Sequence, residues 1–367
     1  MTIFGTRPEA IKMAPLVKEL GKHNQINSVV CVTAQHREML DQVLEIFNVK
    51  PDYDLNIMKK GQSLTEITAR VLEGLDGVIK KVKPDIVLVH GDTTTTFAAG
   101  LAAFYNQTKV GHVEAGLRTF DKYFPYPEEI NRKLTGAIAD FHFAPTVRNK
   151  QNLIRENIHE KDIYITGNTV IDSLETTVKK GYVFEDALLK KLPYEQGKIV
   201  LVTAHRRENL GEPIENICRA LKAIATKHTD VHIVYPVHLN PVVRKTASEI
   251  LSGVERVHLI EPLQVQELHN LMNRCYMVLT DSGGLQEEAP SLGKPVLVLR
   301  NETERPEAVD AGTVKVAGVN EQRIFKMACE LIEDTASYNK MAKAVNPYGD
   351  GKASKYIVQF ILDKLAK

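Results

Sequence analysis

The chain carries almost no surplus charge of either sign: 47 basic residues stand against 46 acidic ones, a net charge of +1 over 367 residues. A polyanion footprint needs a basic excess, so nucleic acid is not expected as a partner. No apolar run approaches the length of a membrane span, and the N-terminus enters a strand at once, without a signal-peptide pattern. Met1 lies almost inside that strand, so a few preceding residues are expected. The four cysteines, Cys31, Cys218, Cys275 and Cys329, lie far apart and form no CxxC pair. Each sits in an apolar strand or helix pattern, which reads as free buried thiols in a reducing cytoplasm. Low-complexity tracts and short internal repeats are missing. No GxGxxG follows the first strand, which argues against nicotinamide-dependent hydride transfer. HExxH and Cys/His clusters are also lacking, so no metal is expected.

What is present is an ordinary globular composition, 43% hydrophobic and 25% charged, in a chain long enough for two domains. The most informative stretch is 278–307, VLTDSGGLQEEAPSLGKPVLVLRNETERPE. Its apolar start reads as a buried strand, Asp281-Ser282-Gly283-Gly284 as a tight loop, and the residues from Leu285 as a helix whose free N–H groups point back at that loop. Ser-Gly-Gly ahead of a helix N-terminus suits phosphate oxygens. Glu288, one turn into the helix on the side of Gly284, can accept from the two vicinal hydroxyls of a ribose. Arg305 follows the next strand, where a phosphate-facing cation belongs. Together these residues point to a nucleotide diphosphate.

Strands and helices alternate along both halves, which means mostly parallel sheets covered on both faces. Residues 168–197 break the pattern and read as an interdomain connector with one or two helices. Near the start, Thr6-x-x-Glu9 is a capping box that places Arg7 at a helix N-terminus, with Lys12 about a turn later; two such cations fit an anionic ligand. The strand IVLVH leads into Asp92, a good N-cap, and a run of threonines. The strand at 109–113 ends in Glu114. A loop rich in aromatics and proline, 120–127, separates Glu114 from Glu128 and must bring the two fairly close. His90-Gly-Asp92 and His112-Val-Glu114 have the i, i+2 spacing of strand-borne metal ligands, yet strand-end His and Asp more often serve local hydrogen bonds. His205 follows the strand at 199–203 with two arginines in its turn, and can donate to a departing phosphate oxygen. Several acids near a cationic phosphate site suit work on a sugar attached to that phosphate. The candidates lie at carboxyl ends of strands, and they converge if the two halves face each other across a cleft.

GTRPEAIK (5–12), HGDTTTT (90–96), HVEAGLRT (112–119), PEEINR (127–132), GNTVID (167–172), TAHRREN (203–209), DSGGLQEEA (281–289) and TERPEA (303–308) run nearly end to end. In combination they resemble the non-hydrolysing UDP-N-acetylglucosamine 2-epimerases. The resemblance implies an α/β chain of GT-B architecture, two Rossmann-like parallel-sheet domains facing across a cleft. Residues 1–168 would carry the acid/base groups, 169–351 would bind UDP, and the terminal helix 352–367 would pack back on the first domain. The implied reaction interconverts UDP-GlcNAc and UDP-ManNAc in the cytoplasm, supplying ManNAc for cell-surface polysaccharide, without metal, nicotinamide or other cofactor. By the same resemblance Asp92, Glu114 and Glu128 are acid/base candidates and His205 the phosphate-side group. Arg7, Lys12, Arg132, Ser282, Gly283, Gly284, Glu288 and Arg305 are nucleotide-sugar contacts. A homodimer is implied, as is a second, activating UDP-GlcNAc, for which Gln35, Gln42, Arg206 and His238 are candidates. The rival readings are a hydrolysing 2-epimerase that releases ManNAc, a GT-B glycosyltransferase that leaves C2 unchanged, and a UDP-sugar sensor without turnover.

Overall fold

The computed structural model describes residues 1–34, 37–59 and 61–365. They divide into two compact units, Met1–Thr176 with Tyr348–Lys367, and Thr177–Pro347. In the first unit the strands are β1 (Thr2–Phe4), β2 (Val30–Val32), β3 (Tyr53–Asp54), β4 (Ile86–His90), β5 (Lys109–Val113), β6 (Phe141–Ala144) and β7 (Ile163–Ile165). Its helices are α1 (Arg7–Leu20), α2 (Arg37–Ile46), α3 (Leu64–Val82), α4 (Thr94–Tyr105), α5 (Glu128–Ile138), α6 (Val147–Arg155) and α7 (Thr169–Thr177). The second unit contains β8 (Lys198–Thr203), α8 (Glu212–Lys227), β9 (Val231–Pro236), α9 (Pro241–Leu251), β10 (Val257–Ile260) and α10 (Val265–Arg274). It continues with β11 (Met277–Thr280), α11 (Gly283–Ser291), β12 (Val296–Val298), α12 (Pro306–Asp310), β13 (Val314–Val316), α13 (Glu321–Glu333) and α14 (Thr335–Ala342). The chain then returns to the first unit for α15 (Ala353–Leu365).

Both sheets are parallel. The first runs β3-β2-β1-β4-β5-β6-β7 and the second β10-β9-β8-β11-β12-β13. Each strand order reverses once, between β1 and β4 and between β8 and β11, and at such a switch point the loops after the two central strands diverge and leave room for a ligand. The central strand IVLVH is buried over its whole length, as a sheet covered on both faces requires. In the second unit Val200, Val202, Leu279 and Leu297 meet Ile217, Leu221 and Ile324 from α8 and α13 in one core.

The sequence expectations differ from the structure where elements are short or polar. β3 and β13 escape periodicity because Tyr53–Asp54 and Val314–Val316 are too short to alternate. α6, VRNKQNLIR, buries only Asn149, Asn152 and Leu153, so it shows almost no apolar stripe. The boundary between the units falls between Thr176 and Thr177, at the last residue of α7, rather than at residue 168. Asp172 accepts hydrogen bonds from the N–H groups of Ala353 and Ser354, which tie α7 and the start of α15 to the same unit. Further along α15, Phe360 packs against Phe141, Phe143 and Tyr164 with ring centroids 5.0, 5.4 and 4.1 Å away. Phe360→Ala is expected to cost about 3 kcal/mol or more, read as a lowered urea midpoint by circular dichroism; an unchanged midpoint would show that α15 adds nothing to that core.

Candidate active site

In the first unit the site begins with a capping box. Thr6 caps α1, and the buried Glu9 carboxylate returns to the N–H of Thr6 at 2.8 Å and of Gly5 at 3.1 Å. Its other oxygen accepts from the hydroxyls of Thr93 at 2.7 Å and Thr96 at 3.0 Å. One carboxylate thus joins the loops after β1 and β4. A side chain at Gly5 would collide with Thr33, so the loop passes only as glycine. Arg7 stands exposed at the start of α1.

Lys12 reaches from α1 to Glu114, at the end of β5, and forms an ion pair with it. Glu114 also accepts from Asn168 Nδ2 at 2.8 Å and lies 3.5 Å from His90 Nε2, a buried nitrogen with no hydrogen-bond partner. Burial alone would raise the Glu114 carboxyl, but the Lys12 ammonium and His90 pull it well below the usual range, so it is a carboxylate at neutral pH. Its φ of 61° is left-handed, an unusual conformation for a glutamate and one that clusters at functional sites. Asp92 does not cap α4; the cap is Thr93, whose hydroxyl accepts from Thr96 N–H. Asp92 Oδ2 instead accepts from Arg132 Nε at 2.8 Å and pairs with Nη2 at 2.5 Å. Arg132 also contacts Glu129 at 3.3 Å. Glu128 opens α5, half-buried. His112 donates to the Gly91 carbonyl at 2.7 Å; burial pushes it down to about 3, so it is a neutral strut for that loop.

In the second unit α11 starts at Gly283, and Ser282 is its N-cap without a side-chain capping bond. A methyl group built on Gly283 would lie 3.5 Å from Arg305 Nη2 and 3.9 Å from Arg206 Nη2. Two guanidinium groups therefore flank the amino end of a helix, an arrangement that favours phosphate oxygens. Arg305 is buried and paired with Glu287. Glu288 lies beside Gly284, and its other side meets His269 Nε2 at 3.3 Å. His269 Nδ1 in turn faces the Thr177 hydroxyl at 2.7 Å, so the ring holds the carboxylate in place.

His205 follows β8. The buried Asp281 accepts from the N–H groups of His205 and Arg206 at 2.6 and 2.7 Å and from Asn209 Nδ2 at 3.0 Å. Its second oxygen lies 3.6 Å from His205 Nδ1. The His205 ring stacks on His238 at 5.0 Å. Burial lowers the His205 imidazole; Asp281 opposes the shift, and His238 and Arg206 reinforce it. Of the candidates for a second nucleotide sugar, Arg206 and His238 gather around His205. Gln42 is exposed on α2 in the first unit, and Gln35 lies outside the described residues.

A family model described as UDP-N-acetylglucosamine 2-epimerase matches residues 18–362. The chain belongs to the UDP-N-acetylglucosamine 2-epimerase family. It is 60% identical to a UDP-N-acetylglucosamine 2-epimerase of Bacillus subtilis over 362 residues, 99% of this chain and 94% of the relative. A crystal structure of UDP-GlcNAc 2-epimerase from Neisseria meningitidis bound to UDP-GlcNAc superposes with a TM-score of 0.89 at 55% identity, covering 99% of each chain. The Methanocaldococcus jannaschii UDP-GlcNAc 2-epimerase, solved with UDP-GlcNAc and UDP, superposes at 0.78 with 34% identity and covers 99% of each chain. The epimerase is thus an isomerase with two α/β parallel-sheet domains of the GT-B kind. No helix among the described residues is long and apolar enough to cross a membrane.

Sequence reasoning on the epimerase missed the groups that hold its candidate residues. Asn168 sits inside a motif that carries the family resemblance, and Asp281 heads the DSGG loop, so a signal existed for each, while His90 reads from the sequence only as a strand-end residue serving local hydrogen bonds. His269 and Thr177 had none, being distant in sequence from Glu288. The depressed His205 gives a pH test. A diphosphate bound beside a neutral imidazole raises its pKa, so UDP binding at about pH 7.5 should take up a proton. UDP affinity then falls as pH rises through the window between the imidazole pKa of the free protein, held below the usual histidine value by burial, and its raised pKa in the complex. Calorimetry in buffers of different ionisation enthalpy should show the uptake in the parent and none in His205→Gln; equal uptake in both would remove His205 from the phosphate.

Proposed function

We propose that the enzyme inverts C2 by eliminating UDP and adding it back. The hydrogen on C2 of a hexosamine is not acidic enough to be removed directly at neutral pH. Loss of UDP from C1, with the C1–O electron pair leaving on the β-phosphate, makes that hydrogen removable. A base takes the C2 proton, and 2-acetamidoglucal plus UDP remain bound. Protonation of C2 on the opposite face, with return of the UDP oxygen to C1, yields UDP-ManNAc. Water must be kept from C1 throughout, which separates this course from hydrolysis.

The observation that carries the reading is the ionised, largely buried Glu114 beside Lys12, one strand away from the Asp92–Arg132 pair. We assign acid/base work to Asp92, Glu114 and Glu128 in the N-terminal unit. The UDP goes to the C-terminal unit: the diphosphate to Ser282, Gly283, Gly284 and Arg305, the ribose to Glu288, and the leaving phosphate to His205. Arg7, Lys12 and Arg132 complete the contacts to the nucleotide sugar. Arg206 and His238 are assigned to a second, activating UDP-GlcNAc. The reaction is placed in the cytoplasm, where the four free buried cysteines stay reduced, and feeds ManNAc to cell-surface polysaccharide.

Asp92→Asn and Glu114→Gln should each lower kcat by about 100-fold to 10,000-fold, while the Kd for UDP stays nearly unchanged. Glu288→Ala should instead weaken UDP binding about tenfold or more. Proton NMR in D2O should show UDP-ManNAc deuterated at C2 without lasting free sugar. Free ManNAc would mean hydrolysis, and an unchanged substrate would mean a transferase or a sensor.

The homodimer is supported by an apolar face on α4 and α5. Phe104 and Tyr105 are 59% and 68% exposed there, and Ile130 and Leu134 are 36% and 42% exposed. Phe104→Glu with Leu134→Arg should convert a dimer into a folded monomer by light scattering; a monomeric parent would refute the assignment.

A further inference from the structure

We propose that His228, Cys329 and Glu333 form a zinc site on the second unit. His228 caps the C-terminal end of α8, just before β9, and Cys329 and Glu333 lie one turn apart on α13. The site therefore sits at the amino-terminal edge of the six-stranded sheet, the edge opposite to His205 and Asp281. His228 Nε2 lies 3.3 Å from Cys329 Sγ and 3.4 Å from Glu333 Oε1, and the three donor atoms fall within 4.8 Å of one another. A tetrahedral zinc with ordinary bond lengths separates an imidazole nitrogen from a thiolate sulfur by about 3.6 Å and from a carboxylate oxygen by about 3.3 Å. Two edges of the tetrahedron are thus formed to within a few tenths of an ångström. A single Nε2–H cannot point at both neighbours, whereas one cation can satisfy all three.

The donor set is imidazole, thiolate and carboxylate, which zinc takes readily, and Glu333 is exposed on the solvent side where water supplies a fourth ligand. Binding releases the Cys329 proton to solvent, and the thiolate charge is balanced by the metal. The Lys227 ammonium, 2.5 Å from Glu333, now holds the carboxylate. Lys227 is exposed, and its ammonium nitrogen already lies over the Phe325 ring, 5.6 Å from the centroid, so it keeps a partner when it turns away from Glu333. Zinc here would clamp α8 to α13, two helices of one core, and take no part in the chemistry at the other edge.

The test titrates the metal-stripped full chain with Co2+ and then Zn2+. One Co2+ per chain should give a near-ultraviolet thiolate-to-cobalt band that one equivalent of Zn2+ removes. Zn2+ should also raise the Tm. Cys329→Ser should abolish the band, and His228→Gln should weaken zinc by about 100-fold or more. Both variants should keep the far-ultraviolet circular dichroism and the UDP affinity of the parent. Should Cys329→Ser fail to fold, His228→Gln alone decides. The absence of a thiolate band in the parent, or zinc affinity unchanged in His228→Gln, would overturn the site.

Discussion

A buried carboxylate that accepts hydrogen bonds from loop N–H groups sits at the switch point of each sheet, and both half-sites depend on it. Parallel strands end in loops whose amides have no ladder partner, and burying such groups unpaired is costly. Glu9 closes the loops after β1 and β4; Asp281 closes the loop after β8 from the end of β11. Hydrogen bonds to a charged acceptor contribute about 1.5–3 kcal/mol each, so these bonds keep the loops in one conformation. Candidate acids and His205 can then stand at fixed positions rather than on wandering chain.

Three of the cations assigned to the substrate are already partnered. Lys12 holds Glu114, Arg132 holds Asp92 and Arg305 holds Glu287. Pairing is what allows these charges to be buried in a chain of almost no net charge. It also keeps Glu114 ionised despite its burial. A carboxylate that would otherwise protonate in an apolar setting is thereby kept as a base, and the same contact positions it.

Local chemistry is legible in the sequence itself. The Thr6–Glu9 capping box, the buried strands with their uninterrupted apolar runs and the glycine turn ahead of α11 each depend on residues within a few positions of one another. Asp92 shows where such reasoning stops. It looks like an N-cap from its neighbours, but Arg132, 40 residues away, takes its carboxylate and leaves the cap to Thr93. The same distance effect hid His269, which supports Glu288 from another helix.

Order and type of the longer elements, the parallel character of both sheets and the residues at their central strand ends were determined by sequence alone, because periodicity and turn chemistry are short-range. Motif spacing carried the family in the same way. Which acid meets which cation was decided only in the tertiary structure. Lys12 and Glu114 are 102 residues apart, and His205 and Asp281 meet across strands separated by a crossover. Burial, and with it the direction in which Glu114 and His205 are shifted, exists only once those strands are side by side.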